Sequence, residues 1–283
     1  MSNNKLTLYL TAIVPHRLKT GAALLCCAVF LSFNASAQSQ NVSLRIVTLT
    51  PHATELVFAA GGGQHIVATV QASDYPASVQ HLPKVGSGLG VEVEPIIAQN
   101  PTLVVGWPSP LLDRLQTLGF KTFATQPQQL NDIPNEIDAL GKVLNTEPFA
   151  RAQSATLIAR IQALPHLEPK SPIKVAILAD QQASYAIGGQ HILNDVLKRC
   201  GAMNVFASQP SAAPLISHES LWATQPELII VGQTTQKPFQ LPPKLADLKA
   251  KVWVVNADTL FRPGPRLIDA AELICNQLQL ATQ

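Results

Sequence analysis

The sequence predicts an α/β protein of two lobes, each built on a parallel central sheet, with one long helix joining them. Three observations predict it. A stretch occurs twice: EPIIAQNPTLVV at residues 94–105 returns as ESLWATQPELII at residues 219–230, in one register throughout, since 219 − 94, 226 − 101 and 230 − 105 all equal 125. Short aliphatic runs alternate with helical segments on both sides of the chain's middle. The middle itself holds a helical run of about 18 residues with no glycine- or serine-rich linker. Each copy of the repeat reads as a short helix, a stop imposed by Pro101 or Pro226, and a strand covered on both faces. Two like copies at a domain-sized offset suggest similar lobes with a site between them; chance likeness of two αβ units is the plain alternative.

The chain opens on a leader. Lys5, Arg17 and Lys19 precede an apolar run at 21–33, and Ala35-Ser36-Ala37 supplies the small-residue cleavage pattern of a secretory signal peptide. The run is shorter than the ~20 residues needed to span a bilayer. Bulky Leu25 before Cys26 does not suit a lipid-attachment site. Export with cleavage near Ala37-Gln38 is expected. Removing 37 residues from 283 leaves 246, and the net charge changes from +2 to −1, because the three basic residues of the leader leave 17 against 18 acidic ones. No basic surface for nucleic acid remains. Cys200 and Cys275 are the cysteines left, and an even pair in an oxidising compartment reads as a disulfide rather than a metal site.

The first lobe, 38–127, starts with a strand at 44–49. Thr50 is the expected cap of a helix at 53–60, with Pro51 at its first position and three glycines, 61–63, as its stop. A strand at 66–70, a turn at 73–76 and a short strand opening into a glycine-rich loop at 86–90 follow. The first repeat copy ends at Trp107; a helix at 111–118 and a strand at 121–124 complete the lobe. The connection, 128–170, holds two helices. Asn131 is the expected cap of the first. Thr146 is that of the second, whose apolar stripe is Phe149, Ala152, Leu157, Ile158, Ile161 and Leu164. The second lobe, 171–283, has a strand at 173–178, a helix at 192–199, the second repeat copy, a short helix at 245–248 and a strand at 252–255. An irregular loop at 258–266 and a terminal helix at 267–280 end it.

Enzyme signatures are absent from the sequence. The glycine loop at 86–90 fails the G-x-G-x-x-G spacing, and no G-x-S-x-G elbow or Walker sequence occurs, so no catalytic residue is assigned. Six histidines follow the leader, none in an H-x-H or H-x3-H pair, so no metal ligand is assigned either. His52 follows a strand and faces the expected cleft, although a solvent-exposed or hydrogen-bonded histidine is the plainer reading. Ligands of α/β lobes bind beyond the carboxyl ends of the strands. That rule selects Pro51, His52, the turn from Ala72 to Tyr75, the loop 86–90 with Gly88, and Trp107 in the first lobe, and Tyr185 to Gly189, Gly232-Gln233 and the loop from Asp258 to Arg266 in the second. Trp107 and Tyr185 serve equally well as core aromatics. The mixture fits a large, partly apolar ligand with amide or carboxylate edges. Glu94 and Glu219 begin matching helices, where a carboxylate is favoured by the helix dipole; two symmetric lobes would also present them to a two-fold partner.

Taken in order, Arg45 to Pro51, Thr54-Glu55, Ser73 to Pro76, Leu103 to Trp107, Cys200-Gly201, Asn204 to Phe206, Asp258 and Arg262-Pro263-Gly264-Pro265-Arg266 resemble the periplasmic cobalamin-binding proteins of bacterial ABC importers. The resemblance covers essentially the whole exported chain. It implies two Rossmann-like lobes bridged by a rigid helix, a monomer, cobalamin or a related corrinoid or tetrapyrrole in the cleft, and no resident cofactor. It further implies a Cys200–Cys275 disulfide and ligand contacts from Trp107 and from Asp258, Thr259, Leu260, Phe261 and Arg262. Glu94 and Glu219 are then the carboxylates that dock on arginines of a permease dimer carrying ATPase subunits. The chain departs from the family's aromatic ring contacts at Ala72, Gly88 and Ala213. Haem or ferric-siderophore binding on the same fold is the alternative, and an extracytoplasmic enzyme the remote one.

Overall fold

A computed structural model describes residues 43–87, 90–180, 182–234 and 239–281. The expected leader and Gly88 lie outside the described residues.

The first sheet is parallel, in the order β2 (Ile66–Ala68), β1 (Ile46–Thr48), β5 (Leu103–Gly106), β6 (Thr122–Ala124). The second is also parallel: β10 (Lys251–Asn256), β9 (Leu228–Gln233), β7 (Ile173–Leu178), β8 (Ala202–Asn204). Read from opposite edges, the two orders are the same, with the repeat strands β5 and β9 each beside its lobe's first strand. A two-stranded antiparallel ribbon, β3 (Gly86–Ser87) with β4 (Gly90–Val91), stands where a third strand of the first lobe is expected.

Strand alternation decides how the lobes are joined. Ile46, Leu103 and Val105 face one way and Val47 and Val104 the other; Val175, Ile177 and Ile230 likewise oppose Ala176, Leu178 and Val231. The first set from each lobe enters one continuous core, whereas the second sets form separate clusters on the outer faces. That shared core also takes in α1 (Pro51–Ala59), α4 (Asp132–Leu144), α5 (Glu147–Ala163), α6 (Leu193–Arg199) and α9 (Leu267–Ala281). The connecting helix α5 has 17 residues, or about 26 Å at ~1.5 Å each. It crosses α4 closely: a Cβ on Gly141 would come within 2.4 Å of that of Ala150.

The repeat is a structural one. Helices α2 (Val93–Ile97) and α7 (His218–Thr224) bury Ile96 and Leu221 at equivalent positions. In each copy a left-handed residue then stands directly before the proline, Asn100 at φ 47° and Gln225 at φ 44°. Thr50 caps α1 as expected, accepting from the Ala53 N–H. The remaining helices are α3 (Pro110–Thr117) and α8 (Ala257–Leu260).

Several expectations are corrected. Asn131 makes no side-chain cap; the Asp132 carboxylate takes the N–H groups of Gln128 and Gln129 instead. Thr146 makes no cap to α5 and donates to the Ala60 carbonyl at the end of α1. The buried stripe of α5 is Ala150, Ser154, Leu157 and Ile161, continued by Leu164 at its cap, leaving Phe149 and Ala152 exposed. Ser154 is tolerated there because its hydroxyl donates to Asp138 Oδ1 at 2.7 Å. Strand β8 goes unread in the sequence because Ala-Met-Asn lacks β-branched residues; it forms by edge pairing to β7. The segment expected to be an irregular loop begins as α8, capped by Asn256, and the short helix near 245 is a 3-10 turn, Pro243–Leu245.

Candidate functional site

Parallel sheets set out the site by aiming their carboxyl ends at common ground. The loops after β5 and β6 bring Trp107, Gln126 and Gln128 to a cavity of about 270 Å³, and His191, Phe261 and Pro263 close it from the second lobe. Two aromatic rings and several primary amides therefore share one inter-lobe hollow. Phe261 is seated by Gly232, where a Cβ would fall 2.0 Å from the ring, and it meets the His191 ring edge-on at 6.4 Å.

His52 supports this wall from beneath. Only 2% exposed, it packs on Trp107 with ring centroids 4.3 Å apart, and its Nε2 lies 3.4 Å from the Thr125 carbonyl. A carbonyl only accepts, so Nε2 carries the proton of a neutral ring. Burial lowers the His52 pKa to about 4, against the opposing pull of that carbonyl. The unfolded imidazole titrates near 6.5, so the unfolded chain takes up the proton first as pH falls. Stability from neutral His52 is complete above about pH 6.5 and is lost progressively down to about pH 4. Burial also lowers His191 to about 4, with the same sign. Urea denaturation at pH 7 and pH 4 should show the advantage of wild type over His52→Gln shrinking by about 3 kcal/mol. A constant difference would contradict the assignment.

Beside the cavity an ionic strap crosses between the lobes. Arg266 makes a two-pronged bond to Glu55, Nη2 to Oε1 at 2.6 Å and Nε to Oε2 at 3.0 Å. Arg262 donates to Asp74 and to Asp258, each at 2.5 Å, and to the Ala72 carbonyl at 3.3 Å. Burial raises the Glu55 carboxyl above the usual carboxylate range despite Arg266 and Arg262. Burial acts to raise Asp74 too, but the bond and charge of Arg262 outweigh it and hold Asp74 low. The Arg266 guanidinium also lies 4.2 Å from the centre of the Tyr75 ring. A larger hollow of about 420 Å³ flanks α5 under Tyr75. The charged groups on its wall are already paired, Glu55 with Arg266 and Arg160 with Asp269.

The sequence-selected residues thus divide. Trp107 and Phe261 face the cavity; Ala72, Tyr75, Asp258 and Arg262 belong to the strap or its edge. Pro51 starts α1, and Thr259 donates to the Asn256 carbonyl. Leu260 is fully buried in the core, so its side chain offers the cleft no surface. Tyr185 is exposed, with its backbone bridged to Leu215, and does not line this cavity. Gln126, Gln128 and His191 were missed, although the strand-end rule applied to β6 points to the two glutamines. Glu94 and Glu219 are exposed in the first turns of α2 and α7. The backbone N–H of Glu219 and the Ser217 hydroxyl hold the Glu219 carboxyl below its usual range. Cys200 at the end of α6 is bonded to Cys275 in α9. Among the described residues, no group of three or more His, Cys, Asp or Glu is placed to hold a metal ion. None of their helices is long and apolar enough to cross a membrane.

A periplasmic binding protein family model matches residues 46–252. The chain belongs to the periplasmic binding protein family. Among curated members, this periplasmic binding protein is 32% identical over 271 residues to the vitamin B12-binding protein of Photorhabdus laumondii, covering 92% of this chain and 96% of the relative. It is 30% identical over 247 residues to that of Vibrio cholerae, covering 84% and 90%. The crystal structure of periplasmic vitamin B12-binding protein BtuF of Vibrio cholerae superposes with a TM-score of 0.76 at 29% identity, covering 84% of this chain and 98% of that one. A periplasmic heme-binding protein from Roseiflexus shares the fold, with a TM-score of 0.74 at 24% identity over 85% of this chain and all of that one.

Proposed function

We propose that this periplasmic binding protein captures cobalamin between its lobes and delivers it to an inner-membrane ABC importer. Similarity to curated vitamin B12-binding proteins along nearly their whole length carries the reading. The chemistry of the cleft supports it. Cobalamin presents a flat corrin edged with amides, and Trp107 and Phe261 offer rings while Gln126, Gln128 and Gln190 offer amides. Haem instead carries two carboxylates, and Arg262 and Arg266 beside the cleft are already engaged by Asp74, Asp258 and Glu55.

Haem remains the second reading because of His191. Its ring lines the cavity; its Nδ1 accepts from the Leu193 N–H at 3.2 Å, so the neutral ring carries its proton on Nε2, and ligating iron through Nε2 would require that proton to leave or to move to Nδ1 at the cost of the Leu193 bond. In the preferred reading the chain is exported by its leader, acts as a monomer, and works by binding rather than catalysis. Lobes 38–127 and 171–283 are joined through 128–170, and Glu94 and Glu219 meet the permease dimer to which the ATPase subunits attach.

A binding protein is stabilised by its ligand without consuming it. At 100-fold excess over Kd, cyanocobalamin should add about 2.7 kcal/mol, a rise of several degrees in Tm. The same cobalamin should be recovered chemically unchanged. No shift in Tm, or turnover of the ligand, would contradict the proposal.

A further inference from the structure

We infer that Trp222 and Ile97 are paired apolar anchors for the transport partner, with Trp222 the stronger. This deepens the docking reading above and rests on it.

The observation is a repeated surface. Trp222 lies three residues beyond Glu219, and Ile97 three beyond Glu94, so each stands about one turn along its helix from the carboxylate. The positions are equivalent in the repeat, because 222 − 97 is again 125. Their environments match as well. Ile96 and Leu221, the preceding residues, are fully buried, whereas Ile97 is 38% exposed and Trp222 51% exposed. A left-handed residue stands directly before the proline after each helix, Asn100 and Gln225, so the two segments follow a like course.

An exposed Trp next to a carboxylate is poor surface chemistry for a protein that meets only water. It is the composition of an interface anchor, where Trp is enriched and an acidic neighbour selects a basic partner. The second helix strengthens that pairing. Ser217 and Ser220 form a reciprocal capping box that fixes the turn carrying Glu219. The duplication identifies the occupant. One copy of the patch per lobe fits a partner that repeats its own surface, a two-fold permease with a guanidinium beside an apolar recess on each half. The larger ring at 222 makes the two halves unequal, so the second lobe contributes the tighter contact.

The test measures binding of the exported chain to the purified importer in lipid nanodiscs, with cobalamin affinity and oligomeric state measured in parallel. Trp222→Ala should weaken importer association roughly 30-fold. Ile97→Ala should weaken it less, and both variants should keep wild-type cobalamin affinity and Tm. Trp222→Phe should recover part of the loss. Glu94→Ala with Glu219→Ala separates the two readings. If the glutamate variant weakens association but Trp222→Ala does not, the anchor inference fails and docking stands. If neither weakens it, docking at these helices fails as well. Dimerisation of wild type that Trp222→Ala abolishes would place Trp222 against a second copy, and binding to lipid-only nanodiscs would place it against the bilayer. Either outcome would overturn the inference.

Discussion

Replacing Arg266 with Ala should destabilise the protein by about 3–5 kcal/mol, the expected loss when one partner of a buried ion pair is removed. Glu55 is 3% exposed, and burial already pushes its carboxyl upward, so without Arg266 it must be protonated or draw water into the core. Arg262, whose nearer nitrogen is 3.8 Å from Glu55, is held by Asp74 and Asp258 and is a poor substitute. Desolvation offsets much of the attraction within the intact pair, so removing both charges should cost far less than removing one. The double variant Glu55→Leu with Arg266→Met should lie well above Arg266→Ala in stability. Urea denaturation of both variants decides the matter. Equal, additive losses would mean that the strap is not a coupled pair. Because Glu55 is in α1 and Arg266 immediately precedes α9, the strap also holds the lobes in their present relation.

The second large effect is expected at the disulfide. Cys200 and Cys275 close a loop with a sequence separation of 75. In the chain-entropy model such a bond contributes roughly 4 kcal/mol by restricting the unfolded chain. Both cysteines are buried in the core that α6 and α9 share with the sheets. Cys200→Ser with Cys275→Ser should therefore lower Tm by about 10 °C for a chain of this size. Ligand affinity should be largely kept, because neither residue lines the cleft cavity. A Tm change under about 2 °C would show that helix packing alone fixes this corner.

What the sequence revealed and concealed has a physical pattern. The repeat is legible because helix, proline and aliphatic strand are local signals, and both copies take the same course down to the left-handed residues Asn100 and Gln225. The caps expected at Asn131 and Thr146 do not form: the turn before α4 is tied by Asp132, and the Thr146 hydroxyl points to the Ala60 carbonyl at the end of α1. The strap stayed hidden because Glu55 and Arg266 are 211 residues apart. One clue was available: α1 is apolar around Glu55, and a carboxylate on so buried a helix requires a partner. The cleft was half legible. Strand ends gave Trp107 and Phe261, whereas His191 stands at the far end of the loop between β7 and α6, beyond the stretch that the rule singled out there.

The central claim, capture of cobalamin between the lobes, is tested most directly by calorimetric titration of residues 38–283 with cyanocobalamin, haemin and a ferric siderophore under one set of conditions. Cyanocobalamin should bind one to one at micromolar or lower Kd, more tightly than the other two, and Trp107→Ala should weaken it. Tight binding of haemin with no cobalamin binding at micromolar concentration would contradict the account.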